Sequence, residues 1–508
     1  MDGPQNHHVE PITTNISGIN PTFKDSELVL GLVAPVGTDF DKFHHLLTRR
    51  LAEFGYAVNP VKLSALADNF QAKTPAPPAG ASTEAIRINR LMHAGNYLRF
   101  ESRRGEFLAL AAAADIRAHR RDGEVLQKTA HVVRSLKHPD EVRALRRIYG
   151  AGFYLVGVTV NEKQRREYLC DHKGCRPDEV AELLRRDEHE EDPGYVDEEG
   201  QNYGQRTRDT FQLADVFIPL DSEDRLDRFL KLVFGCPFET PTPEEYAMYL
   251  AFGAALRSGD LSRQVGAVVV TEKGDLVSVG ANDVARAGGG LYWPGKGDER
   301  DFVRNEDSNE VQRDVILQDV LKRLLPEGQD EASWIERGRK LLKPSPLMDI
   351  TEYGRATHAE MEALLSCARN GIPTRNATLF STTFPCHNCA KHIIASGVRR
   401  VVYVEPYPKS QAARLFSDSI RLAGVTKGTR RVLFEPFVGI GPRRFLDLFS
   451  VGLSSGTSAA RKKGGAVIPW SPEKGVVRVP CLPNSYLDRE KLAEKELSAR
   501  TTPPREPR

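Results

Sequence analysis

Two short motifs in the C-terminal half constrain this chain more than any other feature of its sequence. His358 and Glu360 form an H-x-E motif, and Pro385, Cys386 and Cys389 form a P-C-x-x-C motif further along the chain. Imidazole nitrogen and thiolate sulfur are ligands that Zn²⁺ prefers, and a catalytic zinc site combines three protein ligands with one position left for water. His358, Cys386 and Cys389 supply three ligands. The pattern therefore predicts a catalytic site with one Zn²⁺ per chain.

Glu360 is predicted to be the catalytic acid and base of this site. It lies two residues after His358 and is not needed as a ligand. Coordination to zinc lowers the pKa of a water molecule to about 7. A carboxylate beside that water can accept its proton and deliver it to a ring nitrogen of a substrate.

The residues around the motifs predict where the ligands lie. Apolar residues recur at helical spacing over 359–367, and Pro385 is typical of a helix start. Both ligand groups then sit at helix N-termini, where the helix dipole favours thiolates. A closed, purely structural zinc site is the alternative, but it needs a fourth ligand. The spacings of His387 and His392 are not typical of structural zinc fingers, so catalysis is preferred.

Length and composition limit the remaining possibilities. The chain has 508 residues, enough for two or three domains. Lys and Arg number 71 against 69 Asp and Glu, so no net positive field favours bulk binding of nucleic acid. Seven irregularly spaced cysteines do not form a disulfide framework. Without a signal-peptide pattern or a transmembrane-length apolar run, the sequence predicts a soluble, cytoplasmic protein with no membrane partner.

The N-terminal part begins with residues 1–25, which are polar and interrupted by Pro and Gly and are expected to form a flexible tail. Residues 27–34 then have the pattern of a buried strand, followed by a glycine turn and an amphipathic helix through Phe54. Such a turn can place backbone N–H groups against phosphate oxygens. The candidate nucleotide-binding or phosphate-binding residues are Gly31, Gly37, Thr38 and Asp39. The turn is not a Walker A motif, because its glycines are one residue too far apart and Thr38 replaces the lysine. An ordinary βα turn is an equal alternative.

Residues 26–236 are predicted to form a P-loop NTPase or nucleotide-kinase-like α/β domain. Apolar strand patterns at 132–138, 153–160 and 211–219 alternate with helical segments, which is typical of a parallel sheet. Several arginines lie on a helical stretch over 87–99, and basic residues follow the predicted strand at 132–138. Strand-end arginines commonly face phosphates, so a nucleotide is an expected partner of this domain. Solvated helix surface is the alternative for these side chains.

Residues 237–453 are predicted to form a second domain, an α/β/α sandwich, after a proline-rich boundary at 237–243. A helix at 244–256 and a hairpin of strands at 262–270 and 276–280 precede the metal-binding helices. Residues 288–348 form a charged insertion with a helical core over 311–325. The segment 439–449 is expected to pack against the sandwich. Residues 454–508 are expected to form a mostly flexible tail, with 477–482 as a candidate docking segment.

The motifs RQVGAVVV, GAN, HAE and PCHNC, in this order, resemble the cytidine and deoxycytidylate deaminase superfamily over about 243–407. The resemblance implies the same three zinc ligands and assigns proton transfer to Glu360. It assigns Asn282 to the sugar of the substrate and makes Arg263 a candidate phosphate contact. Lys409 could also reach the phosphates, or could lie on a solvent-facing loop.

The combination of this domain with the N-terminal one is similar to the bacterial anti-phage dCTP deaminases. That resemblance implies deamination of free deoxycytidine nucleotides, depletion of dCTP as antiviral defence, and an N-terminal domain that senses or gates. Alternatives are a housekeeping dCMP deaminase of nucleotide metabolism, a polynucleotide-editing cytidine deaminase, or a nonenzymatic nucleotide sensor. The near-neutral net charge of the chain argues against a polynucleotide substrate. The intact H-x-E and P-C-x-x-C motifs argue against a nonenzymatic sensor. A homo-oligomer is the default expectation by resemblance.

Overall fold

The structure is a computed structural model that describes residues 25–70, 72, 74–76, 78, 80–188, 190, 193–343, 345–424, 430–452 and 460–501. The predicted N-terminal tail, apart from Asp25, lies outside the described residues, as do 454–459 and 502–508 of the predicted C-terminal tail. Within the described ranges, no helix has both the length and the hydrophobicity needed to cross a membrane.

The first part of the chain alternates strands with helices, as its sequence pattern predicts. Its described elements are β1 (Leu28–Val33), α1 (Phe40–Glu53), β2 (Ala57–Lys62), α2 (Leu63–Asn69), α3 (Thr83–Ser102), α4 (Phe107–Ala118), β3 (Thr129–Arg134), α5 (Pro139–Tyr149), β4 (Phe153–Thr159), α6 (Glu162–Glu167), α7 (Pro177–Glu188), α8 (Thr207–Phe211), β5 (Val216–Pro219) and α9 (Glu223–Val233). A π-helical turn at Tyr168–His172 follows α6.

These five strands form a parallel sheet in the order β2-β3-β1-β4-β5. Leu28, Leu30 and Leu32 of β1 pack with α1 and α9 on one face, whereas Val29 and Val33 pack with α4 and α5 on the other. The chain therefore leaves the neighbouring strands β1 and β3 toward opposite faces of the sheet. In open α/β sheets, a crevice forms beyond the carboxyl ends of strands at such a switch point.

The strand predicted over 211–219 is wrong in its first half. Residues 207–211 form helix α8, and sheet pairing begins only at Val216. Asp215 explains the boundary, because its N–H donates to Leu155 O and its carboxylate accepts hydrogen bonds from Leu155 N and Arg146. The sheet edge is fixed at that carboxylate, so the preceding residues are free to turn into a helix.

The second part of the chain follows the proline-rich segment 237–243. Its described elements are α10 (Pro243–Ala255), β6 (Gly266–Val270), β7 (Leu276–Ala281), β8 (Asp283–Val284), α11 (Asp301–Arg304), α12 (Ser308–Arg323), α13 (Glu331–Leu342), β9 (Ala356–Thr357), α14 (Ala359–Arg369), β10 (Thr378–Thr383), α15 (His387–Ala395), β11 (Arg400–Glu405), α16 (Ala412–Leu415), β12 (Ile420–Leu422), β13 (Val432–Pro436), β14 (Gly439–Ile440) and α17 (Phe445–Phe449).

A second sheet, with the order β12-β13-β11-β10-β6-β7, carries the two motif helices. Helix α14 lies directly against β7 because Gly280 has no side chain: a Cβ there would lie 2.2 Å from Ala359 O. Helix α10 packs on β6 from the other face. Mixed α/β architecture with parallel sheets is thus confirmed. The predicted helical core of the insertion is α12, which pairs with α13.

The chain then returns to the first sheet, which the sequence analysis did not predict. Strand β14 pairs with the edge strand β5, and the buried guanidinium of Arg444 donates to Phe153 O on β4. The segment 439–449 therefore extends the first sheet. It also packs on the sandwich, as expected, because Ile440 N donates to Glu245 of α10 at 2.8 Å and the Phe445 ring stacks on that of Tyr249 of α10, with the ring centres 4.1 Å apart.

Part of the segment expected to be mobile is also packed. After a small hairpin of β15 (Lys462–Lys463) and β16 (Ala466–Val467), helix α18 (Pro483–Thr501) lies along α4. Val477, Val479 and Cys481 are buried beside it, as the candidate docking segment predicts. The sequence of α18 has weak apolar periodicity because one of its buried positions is occupied by a charged residue, Glu490. An ion pair with Arg120 holds this side chain.

Candidate metal centre and active site

The structure brings the three predicted zinc ligands together. His358 is the N-cap residue of α14, although its side chain makes no capping hydrogen bond, and Cys386 is the N-cap residue of α15, where its sulfur accepts from Cys389 N. His358 Nδ1 lies 3.3 Å from Cys386 Sγ and 3.3 Å from Cys389 Sγ, and the three ligand atoms lie within 4.8 Å of one another. Tetrahedral bonds of about 2.0–2.3 Å put such ligand atoms about 3.5 Å apart, so this donor set fits zinc.

The protonation chemistry of these groups also suits a metal site. The hydrogen bond from Cys389, followed by the hydrogen bond and the charge of His358, lowers the pKa of the Cys386 thiol to about 4. The contact with Cys386 raises the pKa of His358 to about 9. The lowered pKa favours the thiolate form of Cys386, which binds zinc. The hydrogen bond with Cys386 and burial raise the pKa of the Cys389 thiol, so metal binding must displace protons from His358 and Cys389.

Glu360 lies in the first turn of α14 with its carboxylate buried beside the ligands. Its Oε2 accepts from Cys389 Sγ at 3.4 Å, and its Oε1 accepts from Ser381 Oγ at 3.4 Å. Burial raises the pKa of the Glu360 carboxyl, opposed by the charge of His358. A carboxyl with a raised pKa can both accept and donate a proton near neutral pH. Ser381 on β10 was not predicted, since a serine in a strand gives no signal in the sequence.

Asn282, the residue predicted to contact a sugar, binds backbone groups through both polar atoms of its side chain. Its side-chain NH₂ donates to Arg263 O at 2.6 Å, and its side-chain oxygen accepts from Val265 N at 2.6 Å. The amide is buried and clamps the chain segment that leads into β6. The hydrogen bond from Asn282 to Arg263 O holds the backbone of Arg263 in place.

Arg263 lies at the mouth of the site and pairs with Glu405, the last residue of β11. Its guanidinium lies 5.5 Å from the centre of the Tyr407 ring. Glu405 also accepts from Thr383 Oγ1 at 3.3 Å. Burial raises the pKa of the Glu405 carboxyl, while the positive charge of Arg263 lowers it. Glu405 was missed because a glutamate at a strand end is ordinary in sequence terms.

Lys409 is exposed, and its Nζ lies 2.5 Å from Asp349 Oδ1 at the end of the insertion. Burial raises the pKa of the Tyr407 hydroxyl, the negative charge of Cys386 raises it further, and the positive charge of Lys409 lowers it. Lys409 thus lies on the rim of the site, tied to the insertion. Both alternatives for it, a phosphate contact and a surface loop, agree with this position.

The four candidate phosphate residues of the first domain are only partly brought together. Gly31 lies inside β1, where a Cβ would lie 2.7 Å from both Leu136 and Phe153, so it serves packing and its assignment as a ligand residue is wrong. The Asp39 carboxylate caps α1 by accepting from Lys42 N. Gly37, with φ of +86°, and Thr38 line a cavity, although the Thr38 hydroxyl donates to Pro35 O.

Comparison with known proteins agrees with this geometry. Residues 241–405 match the family described as "Cytidine and deoxycytidylate deaminase zinc-binding region". ComE operon protein 2 of Bacillus subtilis is 40% identical over 80 residues, which are 16% of this chain and 41% of that protein. A deoxycytidylate deaminase of Pongo abelii is 27% identical over 188 residues, 36% of this chain and 76% of that protein. The chain thus spans less than half of the Bacillus relative.

Among solved structures, the chain is similar to the apo dCMP deaminase of cyanophage S-TIM5, with 17% identity and a TM-score of 0.22. The similarity covers 39% of this chain and all of that one. The segment that matches the family model, residues 241–405, contains the His358, Cys386 and Cys389 cluster. The predicted zinc cofactor is confirmed by that match, and among the described residues a single His/Cys/Cys cluster is available to hold it.

Proposed function

We propose that this protein hydrolytically deaminates a deoxycytidine nucleotide to the corresponding deoxyuridine nucleotide. The observation that carries the proposal is the position of the Glu360 carboxylate, buried against a three-ligand His/Cys/Cys cluster. A closed structural site has four protein ligands, whereas this one has three and an acid-base group beside it. Relatives named deoxycytidylate deaminases support the choice of a deoxycytidine nucleotide.

The residues of the site divide the chemistry between them. His358, Cys386 and Cys389 hold zinc, which when bound supplies Lewis acidity that makes a water proton available near neutral pH. A water molecule in the site would add its oxygen to C4 of cytosine, while Glu360 would accept one proton of that water and deliver it to N3. Glu360 would then accept the proton of the new hydroxyl group at C4 and deliver it to the exocyclic amino group, which would leave as ammonia when its bond to C4 breaks. Ser381 holds one carboxylate oxygen of Glu360, which keeps the other directed at Cys389.

At the mouth of the site, Arg263 is the side chain best placed to meet a phosphate group. Asn282 fixes its backbone, and Glu405 neutralises its guanidinium. A phosphate must therefore compete with the Glu405 carboxylate for the same donors. Arginine is suited to this exchange, since its planar fork binds carboxylates and phosphates alike.

We further propose that dCTP is a substrate and that its depletion serves defence against phage. Two features support this finer proposal, namely the motif resemblance and the parallel α/β domain that precedes the deaminase domain. They also support the proposal that the N-terminal domain is of the P-loop type. A gating role for it is supported by Asp187, which accepts from Val36 N, Lys137 Nζ and Thr207 Oγ1. Asp187 thereby joins the loops after β1 and β3 to α8, whose Asp209 acts electrostatically on Glu405.

The test is deamination of dCTP, dCMP, deoxycytidine, CTP and single-stranded DNA by the purified, zinc-loaded chain, followed by chromatography. We expect dUTP from dCTP. Production of dUMP alone would favour a housekeeping dCMP deaminase, and turnover of DNA alone would favour an editing enzyme. If no substrate is converted, the assay is repeated in extract of phage-infected cells, and persistent inactivity there contradicts the proposal.

Glu360→Gln is the matched variant for the mechanism. It preserves the size of the side chain and removes the acid-base group, so we expect turnover to fall by at least about 10²-fold while zinc content is unchanged. Metal analysis and kinetics on the same sample distinguish a lost proton carrier from a lost metal. Retention of activity by this variant would contradict the assigned role.

A further inference from the structure

The carboxyl ends of β1, β2 and β3 enclose a cavity that the deaminase chemistry does not use. Its volume is about 480 Å³, within the range of small-molecule sites, about 300–1,000 Å³. It lies at the switch point where the chain leaves β1 and β3 toward opposite faces, the usual place for a ligand in an open parallel sheet. The loop containing Gly37 and Thr38 forms one wall, and helix α3 forms another.

Cationic side chains dominate the mouth of this cavity. Lys137 is neutralised by Asp187 and Arg99 by Glu141, both in buried ion pairs. The lining contains two further carboxylates, those of Asp41 and Glu84. It contains four further cations, namely Lys62, Arg87, Arg134 and Lys173. The cavity therefore has a surplus of positive charge that an anionic ligand would balance.

The pairing of the strands places two of these cations directly side by side. Lys62 and Arg134 are the last residues of β2 and β3 and are register partners across the parallel ladder. Like charges in register on neighbouring strands destabilise a sheet unless something neutralises them. Arg134 has a partner in Asp41, which is itself 68% exposed, whereas Lys62 forms no ion pair with any residue of the described ranges. A phosphate group bound between Lys62 and Arg134 would remove this repulsion.

Backbone strain occurs at the same place. Ser135, which follows Arg134 and lines the cavity, has φ of +70°, a left-handed conformation that is unfavourable for a residue with a side chain. Such strain is concentrated at ligand sites, where the surrounding structure maintains it. Ser135 is partly exposed and leads directly to the buried Leu136, so the strained turn forms part of the cavity wall.

The opposite wall is apolar. It is formed by side chains from α2, α3 and α4, namely Leu63, Ala67, Ile88, Leu91, Met92 and Leu108. A cationic mouth combined with an apolar wall suits a ligand that has a phosphate group at one end and a flat, weakly polar ring at the other. We propose that this cavity binds a nucleoside phosphate, with its phosphate at Lys62 and Arg134 and its base against α3.

This site is distinct from a glycine-loop phosphate cradle, because side chains from β2, β3, α3 and the residue that follows the π-helical turn, rather than loop amides, provide the charge. It is also independent of the proposed deaminase activity. Purine and thymine nucleotides are therefore the appropriate probes, since the deaminase centre is proposed to take cytosine.

The experiment is equilibrium dialysis of the full-length, zinc-loaded chain against radiolabelled dGTP, dGMP and dTMP, with inorganic phosphate as competitor. We expect saturable binding of at least one nucleotide, at about one per chain. Lys62→Ala and Arg134→Ala should each weaken that binding at least about tenfold, since each removes a charge-assisted contact to phosphate. Lys62 is exposed, so its variant is expected to fold even if Arg134→Ala does not.

Arg90→Ala is the matched control. Arg90 lies on α3 and pairs with Asp68, but it does not line the cavity, so its loss should change nucleotide affinity by less than about twofold. The proposal is overturned if none of the three nucleotides binds saturably, or if Lys62→Ala binds as tightly as the unaltered chain. Inorganic phosphate that competes as well as the nucleotides would also overturn it, because the apolar wall would then contribute nothing.

Discussion

Removal of Glu490 should detach the C-terminal helix from the first domain. Arg120 Nε and Nη2 donate to the two oxygens of Glu490 at 2.9 Å each, and Tyr149 OH donates to Oε1 at 3.0 Å. The Arg120 and Glu490 side chains are at most 1% exposed. In Glu490→Ala, Arg120 retains Glu27 and the ring of Tyr486 as partners, and the Tyr149 hydroxyl loses Glu490 as its acceptor. Loss of one partner of a buried ion pair costs about 3–5 kcal/mol.

Glu494→Ala is the matched control on the same helix. Glu494 pairs with Arg117 at 2.8 Å, but their side chains are 48% and 29% exposed, so the expected loss is below about 1 kcal/mol. Urea denaturation followed by circular dichroism gives the free energy of unfolding, and limited proteolysis with mass spectrometry locates the released segment. We expect early cleavage within 483–498 for Glu490→Ala only. Equal urea midpoints and equal cleavage for the two variants would refute the packing argument.

Three further predictions concern the metal, the substrate and pH. Cys386→Ala should lose most of its zinc, whereas His392→Ala, an exposed histidine on the same helix, should keep it; equal metal content by elemental analysis would be the contrary result. Glu405→Gln should lower KM for dCMP by up to about fivefold, since the partly exposed pair with Arg263 is worth at most about 1 kcal/mol, and should leave KM for deoxycytidine unchanged. A matching change for the nucleoside would exclude competition for phosphate. The pKa of Glu27 is subject to burial, which would raise it, but hydrogen bonds from neighbouring side chains lower it from 4.5 to about 2. Because the pKa of Glu27 is lower in the folded than in the unfolded chain, its ionised carboxylate contributes about 3 kcal/mol to the free energy of unfolding above pH 4.5. That contribution is lost as the pH falls from 4.5 toward 2. Glu27→Gln should therefore be less stable at pH 6 and lose less stability between pH 5 and pH 3 than the unaltered chain, and parallel urea-midpoint curves would contradict this.

The sequence predicted most of the metal centre because its determinants are local. A histidine and a glutamate two residues apart at a helix start, and two cysteines one turn apart at another, are positioned by helix geometry. Several strands of both sheets were also recognisable, since buried parallel strands are short, continuous apolar runs. Strand β2 was not predicted, because most of its residues are polar or at least partly exposed. The error at 211–219 arose where a polar anchor, Asp215, rather than hydrophobicity decides where the strand begins.

Partners that are distant along the chain could not be predicted in this way. Glu405 and Arg263 are 142 positions apart, and Glu490 and Arg120 are 370 apart, so no spacing rule connects them. The same holds for Lys62 and Arg134, which become neighbours only when β2 and β3 pair. A charged residue in isolation has the sequence pattern of solvated surface. Only the tertiary structure reveals which charges are buried or crowded.

The sequence by itself thus predicted the cluster of three candidate zinc ligands, the carboxylate beside it and the alternation of strands and helices, because contacts within a few residues set them. The tertiary structure decided how these parts are joined. It returned β14 and α18 to the first domain, engaged Asn282 with backbone groups, and gathered cations around an unassigned cavity. These features depend on sheet order and on buried polar pairing, which arise only when remote segments meet.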